Sequence, residues 1–375
     1  MGAKMGRIAK KLRDFRVSRG LTLEQAAKLA GFRNFQTLSK IENGTRSVKA
    51  EELVSLAKAY SFDINLFLLD EPKPSKMRIF WRSNPNPPID SSAQAKFALF
   101  FERYMNLIRI LDLPGTKLML PIQPVESMNL QSAGNLGDTY SGLLKLGDRP
   151  ALSLASILEN EYNLPIFYLP LPEGASAISL VADDNAAMCV NQNDVPWRQR
   201  FDIAHELFHI IYRTSISDDC GENDTDLFEK CANAYAAAIL LPKSVLEAEI
   251  DTKRNKEKIG VSTLVAIACD LGVSLPALLW RLVNLKRLRK NIAEDILESK
   301  QVREHDRILR QKEPKRMPYI SQRYVCMVFE AISLGIMSKM RAAEYLETPI
   351  GKLEEVFLNV GLVLREEDDI EVSLV

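Results

Sequence analysis

The sequence predicts a multidomain, mainly α chain. It comprises an N-terminal domain of five short helices, a central α+β domain with a small sheet, and a C-terminal helical region. Three features carry that prediction. At 375 residues the chain is too long for one hydrophobic core. Between residues 7 and 69, apolar residues recur at helical spacing and the segments stop at glycines. Between residues 166 and 191 the pattern changes to short apolar runs broken by Pro, Gly and Asp, which read as strands. The expected boundaries are 1–70, 71–149, 150–285 and 286–375.

The first helical segment, Arg7–Arg19, places Ile8, Leu12 and Phe15 on one face and stops at Gly20. The second opens at Thr22, a good N-cap, and runs to Gly31; the third, Asn34–Asn43, ends at Gly44. Two more follow at Ala50–Tyr60 and Asn65–Leu69. Two helices joined by a short turn that opens on glycine form a helix-turn-helix pattern. Charge supports a polyanion partner. Residues 1–70 hold 13 Lys and Arg against 7 Asp and Glu, a net of +6, whereas the other 305 residues hold 36 against 42, a net of −6.

Leu21-Thr22, Glu24, Ala27 and Gly31, followed by Leu38-Ser39-Lys40-Ile41-Glu42-Asn43-Gly44, resemble the Cro/repressor-type (XRE) helix-turn-helix family. The resemblance implies that the third helix lies in the major groove of double-stranded operator DNA. Asn34, Gln36 and Thr37 would then meet base edges, with Lys40 one turn later. Thr22 and Arg46 would contact phosphates. One module reads little sequence, so a homodimer on a two-fold site is expected.

Glu71–Asp90 has five prolines in twenty residues and reads as a linker without regular structure. Helical periodicity returns over Ser91–Leu113, through Phe97, Phe100, Phe101, Tyr104, Leu107 and Ile108. Residues 114–148 show no clear period. Ala151–Tyr162 is helical. Ile166–Leu169, Ala177–Val181 and Ala187–Asn191 read as strands, and Asp183–Asn185 as a hairpin turn.

The chemistry sits next. Phe201–Arg213 reads FDIAHELFHIIYR, and Pro196 upstream suits a first helical turn. Residues i and i+4 of a helix face the same way, so His205 and His209 present both imidazoles on one side. Two such imidazoles make half of a tetrahedral zinc site, and Glu206 between them can act as a base on metal-bound water. A catalytic zinc needs a third protein ligand. His305, the only other histidine, lies in a charged run and looks solvent-facing. The next helix, Phe228–Pro242, offers Glu229, with Asn233 four residues on as a group to orient a ligand. Ala232, Ala236 and Ala237 would let that helix approach the first closely.

Arg200-Phe201, Ala204-His205-Glu206-Leu207 and His209, then Glu229, Ala232-Asn233, Tyr235-Ala236-Ala237 and Ile239-Leu240-Leu241-Pro242, resemble the ImmA/IrrE metallopeptidases. The resemblance implies a zincin-like central domain. His205, His209 and Glu229 would hold Zn2+, and Glu206 would be the catalytic glutamate. It also implies a repressor protein as substrate. Phe208 stands where the family usually has glycine, and a bulky ring there could narrow the cleft. Tyr212 and Tyr235 are the candidates for an oxyanion donor. A rival reading keeps the fold as a non-catalytic sensor, or as a scaffold that grips a partner in the manner of an antitoxin.

Val261–Leu282 reads as two helices meeting at Gly272, in a packing role. Lys286–Arg316 mixes both signs of charge and reads as a solvated helix; Ser321–Val360 reads as a closing helical subdomain. Five scattered cysteines without paired spacing point to reduced thiols. No apolar run approaches a membrane span and the N-terminus lacks a signal-peptide core. The expectation is a cytoplasmic protein that is not membrane-bound.

Overall fold

A computed structural model describes residues 2–18, 21–60, 77–83, 91–113, 129–182, 185–215, 225–253, 259–311 and 320–364. The expected fifth short helix (65–69), most of the 183–185 turn, Cys220 and the acidic tail from 365 lie outside these residues. The chain divides into two units. One comprises 1–74, 95–116 and 320–375; the other comprises 75–94 and 117–319.

In the first unit, helices α1 (Gly2–Ser18), α2 (Leu23–Leu29), α3 (Phe35–Glu42) and α4 (Ala50–Ala59) enclose Leu12, Phe15, Ala26, Leu38, Ile41 and Leu56. Thr22 caps α2 in a reciprocal capping box with Gln25, and Asn34 caps α3 by accepting from the Thr37 N–H. Arg16 binds the buried Glu42 through two hydrogen bonds of 2.8 and 2.9 Å, tying α1 to α3. In the same unit, α5 (Ser91–Ile110) packs Phe100 and Tyr104 against Tyr324 of α15 (Gln322–Ser333). Asn106 donates to the hydroxyl of Tyr345 at 2.7 Å, at the end of α16 (Lys339–Tyr345).

The second unit is built on a four-stranded sheet of order β1-β3-β4-β2. Its strands are β1 (Met77–Ser83), β2 (Ile166–Leu169), β3 (Ala175–Ala182) and β4 (Asn185–Asn191). β3 pairs antiparallel with β1 and β4, while β2 runs parallel to β4. β1 corrects the expected linker. Its residues, MRIFWRS, lie between the prolines of Glu71–Asp90 rather than among them, and their aromatic and β-branched content suits an edge strand.

Two helices beside the sheet carry the polar residues of interest, α8 (Pro196–Ser215) and α9 (Thr225–Leu240). Ile203, Ala204, Leu207, Ile210 and Ile211 of α8 share one core with Ala177, Met188 and Val190 of the sheet. A helix also occupies the stretch that showed no period. It is α6 (Leu130–Leu143), capped by Asn129 and packed along α9. α7 (Pro150–Glu161) and α10 (Lys243–Lys253) complete the surround. The segments α11 (Val261–Asp270) and α12 (Leu275–Asn284) meet at Gly272, whose φ of +69° favours glycine. Both are buried along one face. This pair bends by 107°, and among the described residues no single helix is long and apolar enough to cross a membrane.

The charged run departs from a single solvated helix. It forms α13 (Lys290–Glu298) and α14 (Lys300–Arg310), broken where Ser299 caps α14. Arg310 is buried, donates to the Val273 carbonyl at 2.7 Å and lies 4.3 Å above the Trp197 ring.

Gly137 sets the approach of α6 to α9. A Cβ there would fall 2.6 Å from the Tyr235 carbonyl oxygen and 2.7 Å from Ala238 Cβ. Gly137→Ala should therefore destabilise the second unit by roughly 1–3 kcal/mol, read from its denaturant unfolding transition. A variant as stable as the parent would contradict the close packing.

Candidate metal centre

The first turns of α8 are fixed at three places. Arg198 donates to Ser176 Oγ at 2.7 Å, Gln199 Nε2 to the Asn191 carbonyl at 2.9 Å, and Arg200 to the Gly272 carbonyl at 2.9 Å. With the helix so anchored, His205, Glu206 and His209 follow on its inner side at 0, 1 and 5% exposure. From α9, Glu229 reaches them. Its carboxylate oxygens lie 3.1 Å from His205 Nε2 and 3.3 Å from His209 Nε2, and the two Nε2 atoms are 3.0 Å apart. Half of the Glu229 side chain remains exposed, which marks the open side of the cluster.

These spacings test whether a metal fits. Zinc ligands near 2.0–2.1 Å from the ion in a tetrahedron stand about 3.3 Å apart. The two Nε2 atoms, and each of them with its nearer Glu229 oxygen, stand close to one edge of that tetrahedron, and one ligand atom from each residue lies within 4.8 Å of the others. The donor set, two imidazoles and a carboxylate, is one that zinc accepts. Asn233 Oδ1, one turn beyond Glu229, lies 3.0 Å from His205 Nδ1. With Nδ1–H donating there, the lone pair of Nε2 points to the cluster. Burial alone would raise the Glu229 carboxyl, but its hydrogen bonds to His205 and His209 outweigh that and hold it well below the usual carboxylate range. It is therefore anionic at neutral pH.

Glu206 Oε1 is buried and accepts no hydrogen bond among the described residues. Phe208 does not cross the cluster. Its ring is wholly buried between Tyr212, Phe228 and Tyr235, at centroid distances of 5.9, 5.2 and 5.5 Å. Phe228, which sequence reasoning passed over, backs His209 at 5.2 Å. Its signal was present: it precedes Glu229 on the apolar side of α9. Tyr235 is also buried in the core, edge-on to Tyr140, so its hydroxyl has no open path to a substrate. His305 lies on α14, half-buried rather than solvent-facing, and is not part of the cluster.

Residues 159–283 match the family model of the IrrE N-terminal-like domain. The chain carries an IrrE N-terminal-like domain. Residues 7–67 match the family model of a helix-turn-helix domain. No curated protein matches the chain. The architecture is thus a DNA-binding helix-turn-helix domain joined to a domain of zinc-metallopeptidase-like fold.

On the helix-turn-helix domain, the sequence-derived contact residues divide. Gln36 and Lys40 are exposed on α3. Asn34 Oδ1 accepts from both the N–H and the hydroxyl of Thr37, so these two residues fix the start of the helix. Thr22 Oγ1 accepts from the Gln25 N–H, and Arg46 is held by Glu52 at 2.8 Å.

Asn233→Ala should weaken zinc affinity about 10- to 100-fold, as measured by competition with a chelator. Unchanged affinity would remove Asn233 from the orientation of His205.

Proposed function

We propose that this chain is a DNA-bound zinc endopeptidase that switches transcription by cleaving a repressor protein. The observation that carries the proposal is the convergence of the Glu229 carboxylate with His205 Nε2 and His209 Nε2 of α8, the helix that also carries the buried Glu206. His205, His209 and Glu229 would hold the ion. When bound, zinc supplies Lewis acidity that polarises a peptide carbonyl and acidifies a coordinated water. Glu206 Oε1 accepts the proton from the attacking water and later passes it to the leaving amine. Asn233 keeps the His205 Nε2 lone pair directed at the site. The walls formed by Phe208 and Phe228 exclude water from the His209 side.

The helix-turn-helix domain has a separate task. Gln36 and Lys40 meet base edges or phosphates from α3, and a homodimer matches a two-fold operator. Tethering at the operator raises the local concentration of peptidase near a promoter-bound substrate. The setting is cytoplasmic, where thiols stay reduced.

The near-complete burial of both imidazoles favours a second reading, a metal-holding regulatory scaffold without hydrolysis. Glu206→Gln separates the two. The variant should keep zinc and DNA binding and abolish loss of the repressor in cells, seen by immunoblotting. Continued loss of the repressor, or normal regulation with no cleavage at all, would reject the peptidase reading.

A further inference from the structure

Beside the metal cluster lies a cavity of about 660 Å3, within the size range of ligand sites. Asn233 belongs to both: its side chain meets His205 and also lines the cavity. Phe201 and Asp202, four and three residues before His205, continue the wall along α8. The broadest surfaces are Trp197, Phe201 and Trp280, with Leu130, Val195 and Ala237 around them.

The charged groups of the wall are already engaged by the protein. Arg198 bonds Ser176 and pairs with Asp194 and Asp202, while Lys230 pairs with Asp226 at 2.5 Å. Ser274 caps α12 by accepting from the Ala277 N–H. What remains for a ligand is mainly aromatic and aliphatic surface. Trp197 is held in place from behind by Arg310, itself tied to Asp306 and the Val273 carbonyl. The wall is thus set before any ligand arrives.

We propose that this cavity takes a large aromatic side chain of a polypeptide substrate, next to the peptide bond presented to His205, His209 and Glu229. This rests on the peptidase reading for its choice of occupant. The reach is appropriate: one helical turn along α8 is about 5.4 Å, and an extended peptide advances about 3.3 Å per residue. A residue one or two places from the scissile bond therefore reaches Phe201, one turn before His205, where the cavity begins, and Trp197 stands a further turn along the same helix.

The test uses the full chain with Glu206→Gln, so that peptides bind without turnover, and Trp81→Phe, so that Trp197 and Trp280 alone report. Three acetylated, amidated alanine pentapeptides, with phenylalanine, alanine or aspartate at the centre, are titrated while tryptophan emission is followed. The phenylalanine peptide should give a saturable change and bind at least tenfold more tightly than the other two. Its affinity should fall at least tenfold in Ala277→Phe, which fills the cavity, and in Trp280→Ala, which removes a wall. Melting temperatures of both variants confirm that they fold. Equal binding of the three peptides, no binding of any, or unchanged affinity in both folded variants overturns the proposal. So does equal affinity for N-acetylphenylalanine amide, which would assign the cavity to a small aromatic molecule. The peptidase reading fails separately. Aromatic-selective binding without hydrolysis by the unaltered chain removes catalysis and keeps the cavity. Hydrolysis without aromatic preference does the reverse.

Discussion

The close approach of α9 to α8 is the constraint on which the rest depends. Glu229 has a short side chain for the task of meeting two imidazoles on a neighbouring helix. It succeeds because Ala232 and Ala236 are small and fully buried, and because α6 presses on α9 from another side at Gly137. A larger residue at Ala232 or Ala236 would crowd α9 and withdraw the carboxylate from 3.1 and 3.3 Å. Packing thus comes before chemistry here. The same packing explains Phe208: with Tyr212, Phe228 and Tyr235 around it, its ring belongs to the core and not to the cleft.

A second layer of contacts fixes the angle of α8. Arg198, Gln199 and Arg200 bind β3, β4 and the Gly272 turn in succession. The φ of +69° at Gly272 favours glycine, and a Cβ there would displace the ends of Arg200 and Leu152, each 2.8 Å away, the first of which bonds the Gly272 carbonyl. These contacts leave the inner side of α8 free for His205, Glu206 and His209. Asn233 then joins the ligand cluster to the aromatic cavity beyond it.

Much of this was legible in the sequence because helical geometry is local. An i, i+4 histidine pair shares a face whatever surrounds it, and the strands at 166–169, 175–182 and 185–191 coincide with apolar runs bounded by turn residues. Tertiary context decided the rest. β1 was hidden by the prolines that bracket it, since an edge strand needs only a short proline-free run and a partner. α6 was hidden because Gly134, Gly137 and Gly142 look like loop residues, although Gly137 is small in order to let α6 lie against α9. Arg310 sat in a run of charges whose pattern gave no sign that one guanidinium would be buried over Trp197. In the helix-turn-helix domain, the sequence pattern presents Asn34 and Thr37 as base contacts, and their mutual hydrogen bonds, which it does not reveal, also make them the cap of α3.

The central claim is that three residues from two helices form one metal centre. It is tested most directly by the zinc content of the purified full-length chain beside His209→Ala and Glu229→Ala, prepared without chelators. About one zinc per chain, lost in both variants while each keeps its cooperative melting transition, is the expected result. A chain that holds no zinc when offered it, or that retains zinc in both variants, would contradict the account.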